Sequence, residues 1–192
     1  MEVILENNVN IKEIITALKK GFVLVLPTDT VYGLVCDATN KKAVEEIFKI
    51  KKRDKSKSLP VFVENIKMAK KYAIINKIQE SFINKNWPGA VTVILKSKKG
   101  LSPLVYKNDT IALRQPNYNL IKEIFKNFKK PLAQTSANTS GHPPLDNGEE
   151  INNVLGCEKY CPALVVDAGN LLRKKPSTII DLTNNNIKIL RT

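Results

Sequence analysis

Apolar residues first recur at helical spacing in Ile11, Ile14, Ile15 and Leu18, with Asn10 placed to cap the helix and Gly21 to stop it. Phe22 to Leu26 is an unbroken apolar run of β type, closed by Pro27. Asn40 caps a second predicted helix carrying Val44, Ile47, Phe48 and Lys51. Leu59 to Val63 reads as a strand. Two helical stretches follow, up to Trp87-Pro88-Gly89, a strong turn signal. Ala90 to Leu95 and Thr110 to Leu113 read as strands, joined by a polar, basic connection from Lys96 to Asp109. A helix starting at Asn117 carries Leu120, Ile121, Ile124, Phe125 and Phe128, and Pro131 ends it. Leu132-Ala133-Gln134 is a short strand leading into Ser136-Ala137-Asn138. Leu164 to Asp167, Ser177 to Leu182 and Ile187 to Leu190 are further strands. The last two are joined by Thr183-Asn184-Asn185-Asn186, which reads as a hairpin turn.

This mixture predicts an α/β (or α+β) fold: a twisted, mainly mixed sheet flanked by helices. Neither repeats nor low-complexity linkers interrupt it, so residues 1–192 are expected to form a single domain. Strand order does not follow from the pattern.

Charge changes the picture more than length does. Lys and Arg number 31 against 18 Asp and Glu, a net charge of +13, which favours polyanionic partners such as nucleotides or nucleic acid. A solvated, lysine-rich surface explains the same excess without any ligand. Three cysteines build no disulfide framework, and Cys157 and Cys161 have only His142 to complete a metal site, so no protein metal site is expected. The N-terminal residues resemble no signal peptide, and no apolar stretch approaches membrane-spanning length. A reducing cytoplasm is the expected setting.

Five polar groups sit at predicted strand or helix ends. Thr28-Asp29-Thr30 follows a strand, where open α/β sheets bind ligands, though hydroxyls capping a turn account for it equally. Lys51-Lys52-Arg53 places two cations one residue apart at a helix end, suited to an anion or simply to solvent. Arg114 closes a strand, and a buried Arg needs an anionic partner. Ser136-Ala137-Asn138 and Ser177 could meet phosphate or build local turns. No P-loop, Rossmann fingerprint, zinc helix or nucleophile elbow occurs, and the single His142 reads as an exposed loop residue.

Taken together, Pro27 to Gly33, Lys51-x-Arg53, Leu59, Trp87-Pro88-Gly89, Thr110 to Arg114, Ser136-Ala137-Asn138 with Ser140-Gly141, Pro176 to Asp181 and Leu190-Arg191 resemble the threonylcarbamoyl-AMP synthase family with its YrdC-like domain. The resemblance covers nearly the whole chain and implies the short, single-domain form with a concave basic cavity. Family members join L-threonine, bicarbonate and ATP, with Mg2+, into threonylcarbamoyl-AMP and pyrophosphate. A separate transferase machinery then modifies tRNA. By this resemblance Lys51, Arg53, Ser136 and Asn138 are the catalytic group. Thr30, Arg114, Ser136 and Ser177 hold threonine, and Arg53, Lys57, Thr110, Asn138, Asp146 and Arg191 line the ATP site. Asp54, Phe62 and Asp146 depart from the family's common pattern.

The anionic substrates suit the cations: Lys51, Arg53 and Arg114 would offset the repulsion of bringing bicarbonate, triphosphate and carboxylate together. Two other readings stand beside this one. The first is a double-stranded RNA or tRNA-binding module of the same fold, using its basic surface without full catalysis. The second is a carbamoyl-transfer enzyme akin to hydrogenase maturation factors, which are larger.

Overall fold

A computed structural model describes residues 1–156, 159–171, 175–184 and 187–192. Its strands are β1 (Glu2–Leu5), β2 (Leu24–Leu26), β3 (Gly33–Asp37), β4 (Val61–Phe62), β5 (Val91–Lys96), β6 (Tyr106–Lys107), β7 (Thr110–Arg114), β8 (Leu132–Ser136), β9 (Leu164–Asp167), β10 (Thr178–Asp181) and β11 (Lys188–Arg191). The helices are α1 (Ile11–Lys19), α2 (Lys41–Lys51), α3 (Ile66–Tyr72), α4 (Lys77–Asn86), α5 (Asn119–Phe128) and α6 (Gly148–Leu155). All strands join one mixed sheet in the order β1-β9-β2-β3-β8-β4-β7-β5-β10-β11, with β6 paired to β7.

Local chemistry sets the helix starts. Asn10, Asn40, Asn65, Asn76 and Asn147 each accept a hydrogen bond from a backbone N–H of the first turn. Each such cap is worth about 1 kcal/mol, so part of the asparagine content is structural rather than surface filling. The apolar stripe of α5 buries Leu120, Ile121, Ile124, Phe125 and Phe128. That helix begins at Asn119 with Tyr118 at its cap, two residues later than the pattern predicts.

Four elements carry no clear sequence signal, one of them the two-residue β6 inside the connection expected from Lys96 to Asp109. β1 is an exposed edge strand whose short apolar run is flanked by Glu2 at its start and Glu6 just after it. Every residue of β3 is buried, so it shows no alternation, and Gly33 and Asp37 at its ends look like turn residues. α6 is short and starts at a glycine. Asn185 and Asn186 of the expected hairpin, and Cys157, lie outside the described residues.

β3 matters most for position. It runs antiparallel between β2 and β8, and Gly33 pairs with Ser136. The loop before β3 and the loop after β8 therefore leave the sheet at the same end, and Ala137 N–H donates to Tyr32 O at 2.8 Å. Arg114 ends β7, two strands from β8 across β4. Arg114, whose strand position is level with Leu132, reaches the loop before β3 through its side chain, which donates to Thr30 Oγ1.

Candidate active site

The first group forms around Arg114. Its Nε donates to Gly89 O at 2.9 Å, Nη1 to Thr30 Oγ1 at 3.0 Å and Nη2 to Asp29 Oδ1 at 2.7 Å. The ring of Phe62 lies under the guanidinium, 5.7 Å away. Asp29 is the anionic partner that a buried strand-end arginine requires, and its other oxygen accepts from Asn117 N–H. The turn at Trp87-Pro88-Gly89, with a cis Trp87-Pro88 bond, presents the Gly89 carbonyl. Three of five guanidinium N–H groups are engaged, which leaves two for a ligand.

Thr30 is oriented by its neighbours. Thr28 Oγ1 donates to Val31 O at 2.7 Å and accepts from Thr30 N. With its proton committed, Thr28 accepts from the Thr30 hydroxyl at 3.1 Å. Thr30 Oγ1 then accepts from Arg114 and keeps one lone pair free. Tyr32 pins the loop behind: its hydroxyl accepts from Ala168 N and donates to Gly169 O at 2.7 Å, and burial pushes its phenol up. Across the cleft, the Ser177 and Thr92 hydroxyls meet at 2.8 Å, and Arg191 donates twice to Ser177 O.

The second group forms around Lys51, which differs from expectation. The sequence suggests two neighbouring surface cations, but Lys51 is only 2% exposed. It sits on the stripe of Val44, Ile47 and Phe48, all buried. Its Nζ donates to Ser136 O at 2.8 Å, Asn138 O at 3.0 Å and Asn138 Oδ1 at 2.6 Å, with Ser136 Oγ at 3.5 Å. All of these acceptors are neutral. Burial and the nearby Arg53 charge push the Lys51 pKa down to about 8 from 10.5. Asn138 in turn accepts from Ser136 Oγ at 2.6 Å and donates to Thr139 O and to the carbonyl of His142, whose side chain is exposed as expected.

Lys52 adopts a left-handed conformation (φ 50°) that ends α2, and Arg53 N–H returns to Phe48 O. The turn sends Arg53 away from Lys51 and into the cleft. Its Nε donates to Lys57 O at 2.9 Å and its Nη2 to Ser58 O at 3.1 Å. Among the described residues no carboxylate forms an ion pair with Arg53 or Arg191. Burial holds Arg53, Arg114 and Arg191 below the ordinary guanidinium range, and Arg191 adds to the effect at Arg114.

A cleft of about 300 Å³ has Thr30, Arg53, Arg114, Ser136, Ser177 and Arg191 on its walls. Lys51 and Asn138 are buried behind Ser136. Besides Asn138, three residues expected at the nucleotide stand outside these walls. Thr110 begins β7, about 13 Å along the strand from Arg114; its hydroxyl donates to Lys107 O. The Lys57 side chain is exposed, and only its carbonyl turns inward, to Arg53. Asp146 lines an adjoining cavity of about 650 Å³ with Leu145, Glu150 and Lys175, and Val31 and Pro176 border both spaces. Gln134 lines the cleft floor and was not singled out by sequence. Its strand assignment was available, but not the face it presents.

A family model for Sua5, YciO and YrdC proteins, described as telomere recombination, matches residues 16–192. The chain belongs to this Sua5/YciO/YrdC family. The threonylcarbamoyl-AMP synthase of Photobacterium profundum is 33% identical over 182 residues, covering 93% of this chain and 97% of that protein. The structure of P. abyssi Sua5 complexed with L-threonine superposes with a TM-score of 0.90 at 25% identity. It covers 100% of this chain, which spans only 57% of that one. E. coli YciO gives a TM-score of 0.85 at 26% identity, covering 99% of this chain and 93% of its own.

Within this Sua5/YciO/YrdC domain no cluster of three or more His, Cys, Asp or Glu that could hold a metal occurs among the described residues. The described cleft walls carry no carboxylate. The residues present therefore do not fit a resident metal ion.

Proposed function

We propose that this chain is an L-threonylcarbamoyladenylate synthase, a nucleotidyltransferase acting on L-threonine, bicarbonate and ATP. One observation carries the reading. Arg114, with two free N–H groups beside the Thr30 acceptor, shares a cleft with Arg53 and Arg191, which have no carboxylate partners among the described residues. That is an amino-acid carboxylate and hydroxyl anchor facing a phosphate anchor.

The threonine carboxylate takes the free N–H groups of Arg114, and its hydroxyl donates to Thr30 Oγ1. The threonine amine attacks the bicarbonate carbon; a C–N bond forms and the hydroxyl leaves as water with an amine proton. The resulting carbamate oxygen attacks the α-phosphorus of ATP, and the bond to the β-phosphate oxygen breaks to release pyrophosphate. Arg53 and Arg191 meet the charge on the phosphates, while Lys51 and Asn138 fix Ser136 and its loop. No protein nucleophile is needed, so positioning and electrostatics carry the rate. Asp146, in the adjoining cavity, would meet the nucleoside end. Magnesium, implied by the family resemblance, would arrive with the ATP phosphates, and no step is assigned to it.

The product would feed a cytoplasmic transferase that modifies tRNA. No helix among the described residues is long and apolar enough to cross a membrane. The +13 charge favours one further reading, direct RNA contact through the outer basic surface. Pyrophosphate release tests the main proposal: it should require threonine and bicarbonate together, and release that ignores either substrate would refute it.

A further inference from the structure

Leu132, Gln134 and Ser136 are two apart along β8 and share one face of the sheet. Leu132 pairs with Phe62, and Phe62 with Arg114, so Leu132 marks the level of Arg114 across the sheet. Gln134 stands about 6–7 Å further along β8, and Ser136 the same distance beyond it. Gln134 is thus midway between the levels of Arg114 and Ser136, both of which wall the cleft. Its backbone is fixed, with its N–H donating to Pro60 O at 3.0 Å and Val35 opposite it on β3. Its Oε1 lies over Gly33, 3.7 Å from where a Cβ would stand.

The half-buried Gln134 side chain lines the cleft with Pro60 and Ala112, and nothing among the described residues hydrogen-bonds its carboxamide. Thr30, Arg53, Arg114, Ser136, Ser177 and Arg191 are all engaged by neighbours. The hydroxyls of Ser58 and Thr135 are also unengaged, but only the carboxamide offers two donors and an acceptor on one arm.

We propose that Gln134 is a further catalytic residue, whose carboxamide holds the bicarbonate that becomes the carbamate. This rests on the synthase reading above. As the threonine nitrogen bonds to carbon, negative charge grows on the carbonate oxygens. Gln134 Nε2–H donates to one of them, and Oε1 accepts from the hydroxyl that departs as water. Gln134 shares the cleft with Arg114, which would hold threonine, and Arg53, which would meet the phosphates, the two partners that the carbon joins.

The test uses Gln134→Glu, which keeps the shape but replaces the donor with a negative charge, and Gln134→Leu, which keeps the bulk without polarity. Product formation is followed against bicarbonate concentration, and threonine and ATP are each titrated calorimetrically. The bicarbonate KM should rise about tenfold or more in both variants, and kcat should fall on the order of a hundredfold, as for loss of one charge-stabilising donor. In Gln134→Leu, threonine and ATP affinities should stay within about twofold of the unaltered chain, which also reports correct folding. Unchanged bicarbonate dependence in both variants, with normal product from the unaltered chain, overturns this proposal alone. Parallel loss of threonine or ATP affinity in Gln134→Leu also overturns it, by assigning Gln134 to those sites. Failure of the unaltered chain to make product overturns the synthase reading and this proposal with it.

Discussion

Lys51 Nζ lies 2.6 Å from Asn138 Oδ1, inside the protein, and no carboxylate among the described residues pairs with it. An ammonium in this position is a clamp on the 136–138 loop: it gathers two backbone carbonyls and one side-chain oxygen, and Lys51 O accepts from Ser140 N–H at 2.9 Å. Lys51→Met should therefore destabilise as well as inactivate. Leaving the oxygens unpaired should cost about 2 kcal/mol net. That corresponds to a fall of roughly 4–8 °C in melting temperature for a chain of this size. Calorimetry of the variant checks this, and an unchanged melting temperature would refute the clamp.

The same lysine gives a pH signature. Its folded pKa, about 8, is below its ordinary value of 10.5, so the unfolded chain binds more protons between those limits. The cost of keeping the charge buried is fully present below pH 8 and disappears as pH rises toward 10.5. Activity should run the other way, falling as Lys51 loses a proton above about pH 8 and releases one of its acceptors. Rate and stability measured over pH 7–10 should diverge, after allowance for other titrating groups through the Lys51→Met variant.

What the sequence reveals of this arrangement is uneven. The stripe Val44, Ile47, Phe48 and Lys51 already puts the lysine on the buried face of α2, but a run of three cations reads more readily as a solvated helix end. Arg114 is recognisable as a buried cation in need of an anion. That the anion is Asp29 is a long-range fact, because it depends on β3, a strand without alternation, and on the order β3-β8-β4-β7. Strong helical stripes such as that of α5 are legible because periodicity is local; Gln134 is not, since only the register decides which face of β8 meets the cleft.

Asp29→Asn should leave Arg114 as an uncompensated buried charge. The expected loss is about 3 kcal/mol, or roughly 6–12 °C in melting temperature. Threonine, whose carboxylate would take over part of the role of Asp29, should raise the melting temperature of the variant more than that of the unaltered chain. Equal shifts would show that the carboxylate binds elsewhere.

Discrimination against 2-aminobutyrate measures the hydroxyl contact. This analogue lacks the group that would pair with Thr30 Oγ1, and a site built for a substrate hydroxyl rejects its absence. The ratio of kcat/KM for threonine over 2-aminobutyrate should exceed about a hundred. In Thr30→Val it should collapse toward one. Equal turnover of both amino acids by the unaltered chain would remove Thr30 from the account.

RNA contact and adenylate synthesis should separate under salt. Lys70, Lys98 and Lys99 lie at the surface, where Lys70 meets Glu80 and Lys99 meets Asp109. RNA affinity should fall steeply with salt and in a Lys70, Lys71, Lys98 and Lys99 to Gln variant. Product formation without RNA should change little, because the cleft is less screened. Parallel loss of both would join the two functions.

The most direct measurement is mass spectrometry of the products formed from ATP, L-threonine and 13C-bicarbonate. The account predicts one adenylate carrying the threonine mass and a single labelled carbon, formed in equal amount with pyrophosphate and lost in Arg114→Ala. Pyrophosphate without the labelled adenylate, or a labelled adenylate that Arg114→Ala still makes at the full rate, would contradict it.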